Sequence, residues 1–167
     1  MDALEAIAAR RSVRHFKPEP VSQALLRQIV DAGRLAPTAR NDQPWEFVVV
    51  TDAETRRQIA DLSDHGKFIA EAPVCIVVLA RPSERYLEDG SAATTNMLLA
   101  AAALGLGACW VAGDKKPYAP QIVSLCGGPA DLKLVSMLAI GCAARTPSPK
   151  KRSLEEVLHW ERFGGRS

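Results

Sequence analysis

The chain has no C-x-x-C pair, no phosphate-cradling Walker loop, no G-x-G-x-x-G turn and no clustered histidines. Each absence removes a class of chemistry. Cys75, Cys109, Cys126 and Cys142 sit in apolar surroundings without pair spacing, so they read as buried thiols in a reducing cytoplasm, not as disulfides or metal ligands. His15, His65 and His159 are scattered, which argues against a metal site. Gly105-x-Gly107 has no third glycine at Trp110 and closes a helix instead of opening one, so the dinucleotide fingerprint is missing. No Ser or Cys stands in a nucleophile motif. If the protein is an enzyme, a bound cofactor has to carry the reaction.

Long apolar runs are missing as well. Met1–Arg11 carries Asp2 and Glu5, so no secretory leader is expected and a cytoplasmic setting is. Met97–Ala112 is uncharged, but it is too short and too interrupted by glycine for a membrane span, which takes about 20 apolar residues. Repeats, low-complexity tracts and long linkers are also lacking. The reading is therefore one domain over residues 1–167, with 142–167 as an arm set to contact a partner subunit.

What the chain has in quantity is core. Of its 167 residues 47% are hydrophobic and 24% charged, an ordinary balance for a globular domain of 18.0 kDa. Net charge is only +2, but its distribution is uneven. Arg10, Arg11, Arg14 and Lys17 form one basic knot, and Lys150, Lys151 and Arg152 another. Without those seven, 14 basic side chains face 19 acidic ones. A nucleic-acid protein is basic along a whole face. Two compact knots on an acidic body favour a small anionic ligand.

Along the chain, Asp2–Arg10 reads as a short helix with Leu4, Ile7 and Ala8 inward. Arg10-Arg11-Ser12-Val13-Arg14 follows, offering three guanidinium groups and a hydroxyl that can surround a phosphate. The same run can equally be the solvated basic end of a helix. Ser22 caps a helix in which Leu25, Leu26, Ile29, Val30 and Gly33 recur at helical spacing up to Pro37. The polar loop 37–44 runs into Trp45–Val50, a strand. Asp52 opens a helix through Leu62; 63–72 is a loop or broken helix; Val74–Ala80 is a buried strand. Arg81–Gly90 reads as a charged, exposed connection. Ala92–Leu104 is a helix stopped by Gly105 and Gly107, with a strand Ala108–Ala112 after it. A short helix near Pro120–Leu125 and a strand Leu132–Gly141 complete the body. In the tail, Ser153–Glu156 matches a capping box, and Leu154–Phe163 fits either a helix or a strand laid on a neighbour.

A helix apolar on nearly every side must be buried on nearly every side. One face of 92–104 would pack on the chain's own sheet and the alanine-rich face on a second copy, because an isologous patch covers itself. The alternative is a helix sandwiched within one core.

Four segments carry a resemblance to the nitroreductase family of flavoproteins along almost the whole chain: Arg10–Phe16, Ala36–Trp45, Asn96–Ala101 with Leu104–Gly107, and Lys150–Arg152. The resemblance implies an α+β fold, a central mainly antiparallel β-sheet flanked by helices, in an intertwined homodimer with FMN at each subunit interface. It also implies NADH or NADPH as electron donor and a small-molecule acceptor such as a nitroaromatic or quinone. Arg10, Ser12 and Arg14 would hold the flavin phosphate, with Arg11 beside them and Lys150 and Arg152 closing on the same phosphate or the ribityl chain. Pro37, Thr38, Ala39 and Asn41 would come from the partner and lie along the ring edge. Ala112 and Gly113 would lie close to the ring, with a backbone N–H near N5. His65, Lys67 and Phe68 are candidate substrate contacts. Thr38-Ala39 replaces the paired serines of many members, which removes one hydroxyl contact. Arg81–Gly90 is too short for the helical excursion that covers the site in longer members, so an open substrate side and a broad acceptor range are expected.

Overall fold

The computed structural model describes residues 1–166. Four strands form one sheet: β2 (Trp45–Val50), β3 (Val74–Ala80), β5 (Lys133–Gly141) and β4 (Gly107–Ala112), in the order β2-β3-β5-β4. Every neighbouring pair is antiparallel, with Val50 opposite Cys75, Val77 opposite Met137, and Ala112 opposite Ser136. A second, two-stranded ribbon pairs β1 (His15–Phe16) with β6 (Ala143–Arg145). The sheet-and-helix architecture is the expected α+β one.

All seven residues of β3 are buried, and their two-residue alternation feeds two cores. Val74, Ile76, Val78 and Ala80 pack with Leu26, Ile29, Met97 and Leu138. On the other face Cys75, Val77 and Leu79 pack with Ile59, Ile122 and Met137. The helices supplying those partners are α2 (Gln23–Arg34) and α4 (Tyr86–Ala103) on one side. α3 (Ala53–Leu62) and α5 (Ala119–Leu125) cover the other. Continuous burial of a strand follows from helices on both faces of its sheet.

Three local expectations are corrected. α4 starts at Tyr86, six residues ahead of the expected Ala92, and Asp89 and Gly90 lie buried inside it rather than in an exposed connection. Gly90 permits this, since a Cβ there would stand 2.7 Å from Val135 Cγ2 on β5. α1 (Ala3–Ala9) packs on α4 with Ala6 as its one buried residue, leaving Ala8 exposed and Leu4 and Ile7 77% and 55% exposed. A small contact residue draws the helices together and turns the large side chains outward. In the tail, Leu154–Glu156 is a single 3-10 turn, with the Ser153 N–H donating to Glu156 at 2.7 Å. Residues 148–164 are all exposed, so no surface of this chain folds Leu154–Phe163 into a helix or a strand. No helix among the described residues is long and apolar enough to cross a membrane.

Candidate cofactor site

The first basic knot lies along the outer edge of β4. The Arg11 guanidinium donates to the carbonyls of Ala8 and Arg10 at 2.6 and 2.8 Å, closing the C-terminal end of α1. The chain then runs beside β4, with the Val13 N–H donating to the Ala108 carbonyl at 3.0 Å and Ser12 bridging the same residue. Val13 is buried against Gly107, where a Cβ would stand 2.9 Å from it. Extended backbone puts Ser12 and Arg14 together on the face opposite Val13. Pairing of β1 with β6 then sets Arg145 across from His15. Ser12, Arg14, His15, Arg145 and Pro147 enclose a cavity of about 160 Å³.

Arg10 and Arg11 line a different cavity, of about 180 Å³, beside Gly105–Ala108. Burial raises the Cys109 thiol above its ordinary pKa, while Arg14, the Ser12 hydroxyl and Arg10 pull it down. The fields of Arg10 and Arg14 thus meet at the middle of β4. Among the described residues, no carboxylate stands within ion-pair distance of Arg10, Arg11, Arg14 or Arg145.

A larger cavity of about 520 Å³ begins at the same Arg14 and extends past Phe68, Trp110, Ala112, Lys116 and Tyr118, with His65 at its wall. Arg14 lies over the Phe68 ring, 5.9 Å from its centroid. β4 is the edge strand of the sheet, bridged on its outer side by Ser12 at Ala108. The Gly113 N–H donates to the Val135 carbonyl at 3.1 Å inside the sheet. Ladder alternation therefore turns the N–H of Ala112 to the open edge. The Ala112 carbonyl accepts from the Tyr118 hydroxyl at 3.1 Å, a phenol whose pKa burial raises. Tyr86 donates to Asp114 at 2.5 Å, fastening the turn after Gly113 to the start of α4; that bond pushes the phenol up to about 12.

Of the candidate substrate contacts, His65 and Phe68 line this cavity. Lys67 does not: its amine donates to the carbonyls of Ala60 and Asp61 at 3.1 and 3.0 Å and caps α3. Trp110, Lys116, Tyr118 and Arg145 were not singled out from the sequence. Trp110 and Ala112 share one face of an edge strand, a period-two signal that could have been used; Lys116, Tyr118 and Arg145 carry no such mark.

The loop after α2 stands apart from both cavities. Arg40, Asn41 and Gln43 hold left-handed φ of 54°, 59° and 46°. Asp89, 5% exposed, accepts the Ala39 N–H at 3.1 Å, and the Gln43 N–H donates to the Thr38 hydroxyl at 3.4 Å. Arg81 donates to the Gln43 carbonyl at 2.8 Å. The second carboxylate oxygen of Asp89 is buried without a hydrogen-bond partner. Pro37, Thr38, Ala39 and Asn41 therefore form a preset polar knuckle away from Arg14. Lys150 and Arg152, exposed on the tail, line neither cavity.

An α+β sheet has helices on both faces, and beside its edge strand β4 lie two cavities that share Arg14. Comparisons with known proteins place this fold in a family. The model of the nitroreductase family matches residues 7–66 and 64–142. A relative from Methanothermobacter thermautotrophicus named "Putative NADH dehydrogenase/NAD(P)H nitroreductase" is 31% identical, over 98% of this chain and 88% of its own. The FMN-dependent nitroreductase of Clostridium difficile superposes with a TM-score of 0.90 at 27% identity, over 96% of this chain and 99% of its own. A Desulfovibrio desulfuricans structure, solved in complex with FMN, reaches 0.85 at 34% identity over 98% of both chains. An iodotyrosine deiodinase from Danio rerio is 25% identical over 89% of this chain and 63% of its own. This chain belongs to the nitroreductase family.

Proposed function

We propose that this protein is an FMN-dependent oxidoreductase that takes hydride from NADH or NADPH and reduces a small acceptor such as a nitroaromatic or quinone. One observation carries the reading: the 160 Å³ and 520 Å³ cavities share Arg14, so a phosphate-sized pocket and a ring-sized one adjoin at a single arginine. A mononucleotide with a planar ring has that shape. Bound FMN supplies the two-electron chemistry. The chain supplies the rest. Arg14 and Ser12 bind the phosphate end, with the field of Arg10 behind them. Ala112 offers its free N–H to the ring edge, and Tyr118 anchors the following peptide through the Ala112 carbonyl. Arg14 and Lys116 present positive charge where electron density would build on the ring.

The groove is open on one side, and a second copy of this chain is the natural cover. Leu4, Ile7 and Leu35 are exposed, as are Leu154, Val157, Leu158, Trp160 and Phe163 on the tail. In an intertwined homodimer the tail wraps the partner, and the partner's Pro37–Asn41 knuckle meets the ring edge. The whole of 1–167 then acts as one FMN-binding domain in a reducing cytoplasm, where its four thiols stay free. No nucleic acid or membrane is needed to explain any charged surface.

The test begins with colour. Purified protein should be yellow, release FMN on heating and bleach anaerobically with NADH or NADPH, then recover with a nitroaromatic or quinone. Protein that binds FMN but does not bleach is a flavin-binding module instead. The likeness to the deiodinase supports a second chemistry, reductive dehalogenation; recovery of colour with a halogenated phenol but not a quinone would select it.

A further inference from the structure

We infer that Asp89 is a positioning residue for the cofactor site: its buried carboxylate holds the 37–43 knuckle in the shape it presents to a flavin ring edge. The inference rests on the proposed flavin reading, which brings that knuckle to the ring held by the partner subunit. Asp89 lines neither of the two cavities that share Arg14, and it stands 50 residues from Ala39 in the chain.

One face of α4 follows the whole connection between α2 and β2. Asp89, Ala93 and Asn96 stand at i, i+4 and i+7, which puts them on one side of the helix. The Asn96 amide donates to the Ala32 carbonyl at 3.1 Å, near the end of α2. Ala93 packs with Ala36 and Trp45, the two feet of the loop. Asp89 accepts the Ala39 N–H at 3.1 Å, so the knuckle is tied to the same face as its feet.

What Asp89 holds is not a relaxed turn. Arg40, Asn41 and Gln43 all have left-handed backbone, a region that side chains other than glycine rarely enter. Such a shape persists where neighbours over-determine it, and it is typical of sites that must be preformed. Arg81 fixes the far end: its guanidinium donates to the Gln43 carbonyl at 2.8 Å and its N–H to the Pro44 carbonyl at 2.8 Å. Asp89 fixes the near end. The carboxylate is an unfavourable choice for the fold itself, because its Oδ2 is buried with no hydrogen-bond partner among the described residues. A neutral Asn could accept the same bond without burying a charge. The charged acceptor makes the stronger bond, so Asp89 gives a firmer knuckle and a less stable fold.

Asp89→Leu and Asp89→Ala delete the acceptor, the first keeping the side chain's bulk, while Asp89→Asn keeps an acceptor of the same size. Flavin-free protein is read first, by amide hydrogen exchange at Ala39 and by trypsin cleavage after the exposed Arg40. Loss of one charge-assisted bond should speed exchange at Ala39 about 10- to 150-fold and hasten that cleavage. Wild-type rates in both deletions overturn the inference without any flavin present. FMN and riboflavin are then titrated into each protein. The expected result is an equal loss of affinity for the two, because a ring-edge contact does not involve the phosphate. The visible absorbance of flavin still bound should move towards that of free flavin. Asp89→Asn should recover part of both signals, with a urea midpoint at or above that of wild type. A loosened knuckle with unchanged flavin affinity, or a loss confined to FMN, overturns the inference and leaves the flavin reading standing. Failure of wild type itself to bind either flavin removes the flavin reading, and this inference with it. Should neither deletion fold, Asp89→Asn decides alone: faster Ala39 exchange and weaker flavin binding at an undiminished urea midpoint support the inference, and any other result overturns it.

Discussion

Arg14 sits where both cavities meet and has no carboxylate to neutralise it, so its removal should be felt in ligand binding far more than in folding. Arg14→Ala is expected to weaken FMN binding about 10- to 150-fold, one charge-assisted bond of roughly 1.5–3 kcal/mol, with little change in urea midpoint. A fluorescence titration reading the wild-type affinity would take Arg14 out of the site. Tyr86 gives a pH signature. Its bond to Asp114 raises the phenol from 10.0 to about 12, so the native chain holds that proton more tightly than the unfolded chain does. The stabilisation is whole below pH 10 and is lost as pH climbs towards 12. Asp114→Asn should bring one ultraviolet tyrosinate transition down towards the ordinary value and leave Tyr118 where it was. The Tyr86–Asp114 bond was not visible in the sequence, because residues 28 apart meet only through the packing of α4 beside β4.

At the scale of elements, α4 is read best at its end and worst at its start. Gly105, at φ 77°, closes it with a paired motif: the Leu106 N–H reaches the Ala101 carbonyl at 2.8 Å and the Gly105 N–H reaches that of Ala102 at 3.0 Å. Gly105→Ala meets no neighbour, so its cost is the left-handed backbone alone, about 1–2 kcal/mol in denaturant unfolding. Gly105→Asn should lose less. An unchanged Ala variant would mean that the turn relaxes. The start escaped notice because Arg81–Gly90 looks like a charged loop ending in a helix breaker. Acidic Glu88 and Asp89 in fact suit the first turn, and Gly90 is needed where the helix presses on Val135. α1 misled in the same way: its periodicity named Leu4 and Ile7 as inward, and the contact went to Ala6.

At the scale of the molecule, apolar side chains on α1 and along the tail find no cover in this chain. Sedimentation at micromolar concentration should show a dimer. Deleting residues after Arg145 removes five exposed large apolar side chains and should weaken association by about tenfold or more, with loss of bound FMN alongside it. A truncated chain that remains a full dimer would put the interface on α1 and α4 instead.

The sequence alone determined the four strands of the main sheet, the caps of α2 and α3, and which basic residues gather near the start, because two-residue alternation, Ser22, Asp52 and charge clustering are local properties. Only the tertiary structure decided which cations share a cavity. Arg10 and Arg14 line different cavities, Arg145 arrives by strand pairing, and Lys67 turns away to cap a helix. Side-chain direction over such distances depends on register and on close helix contacts, and neither is written in any short stretch of residues.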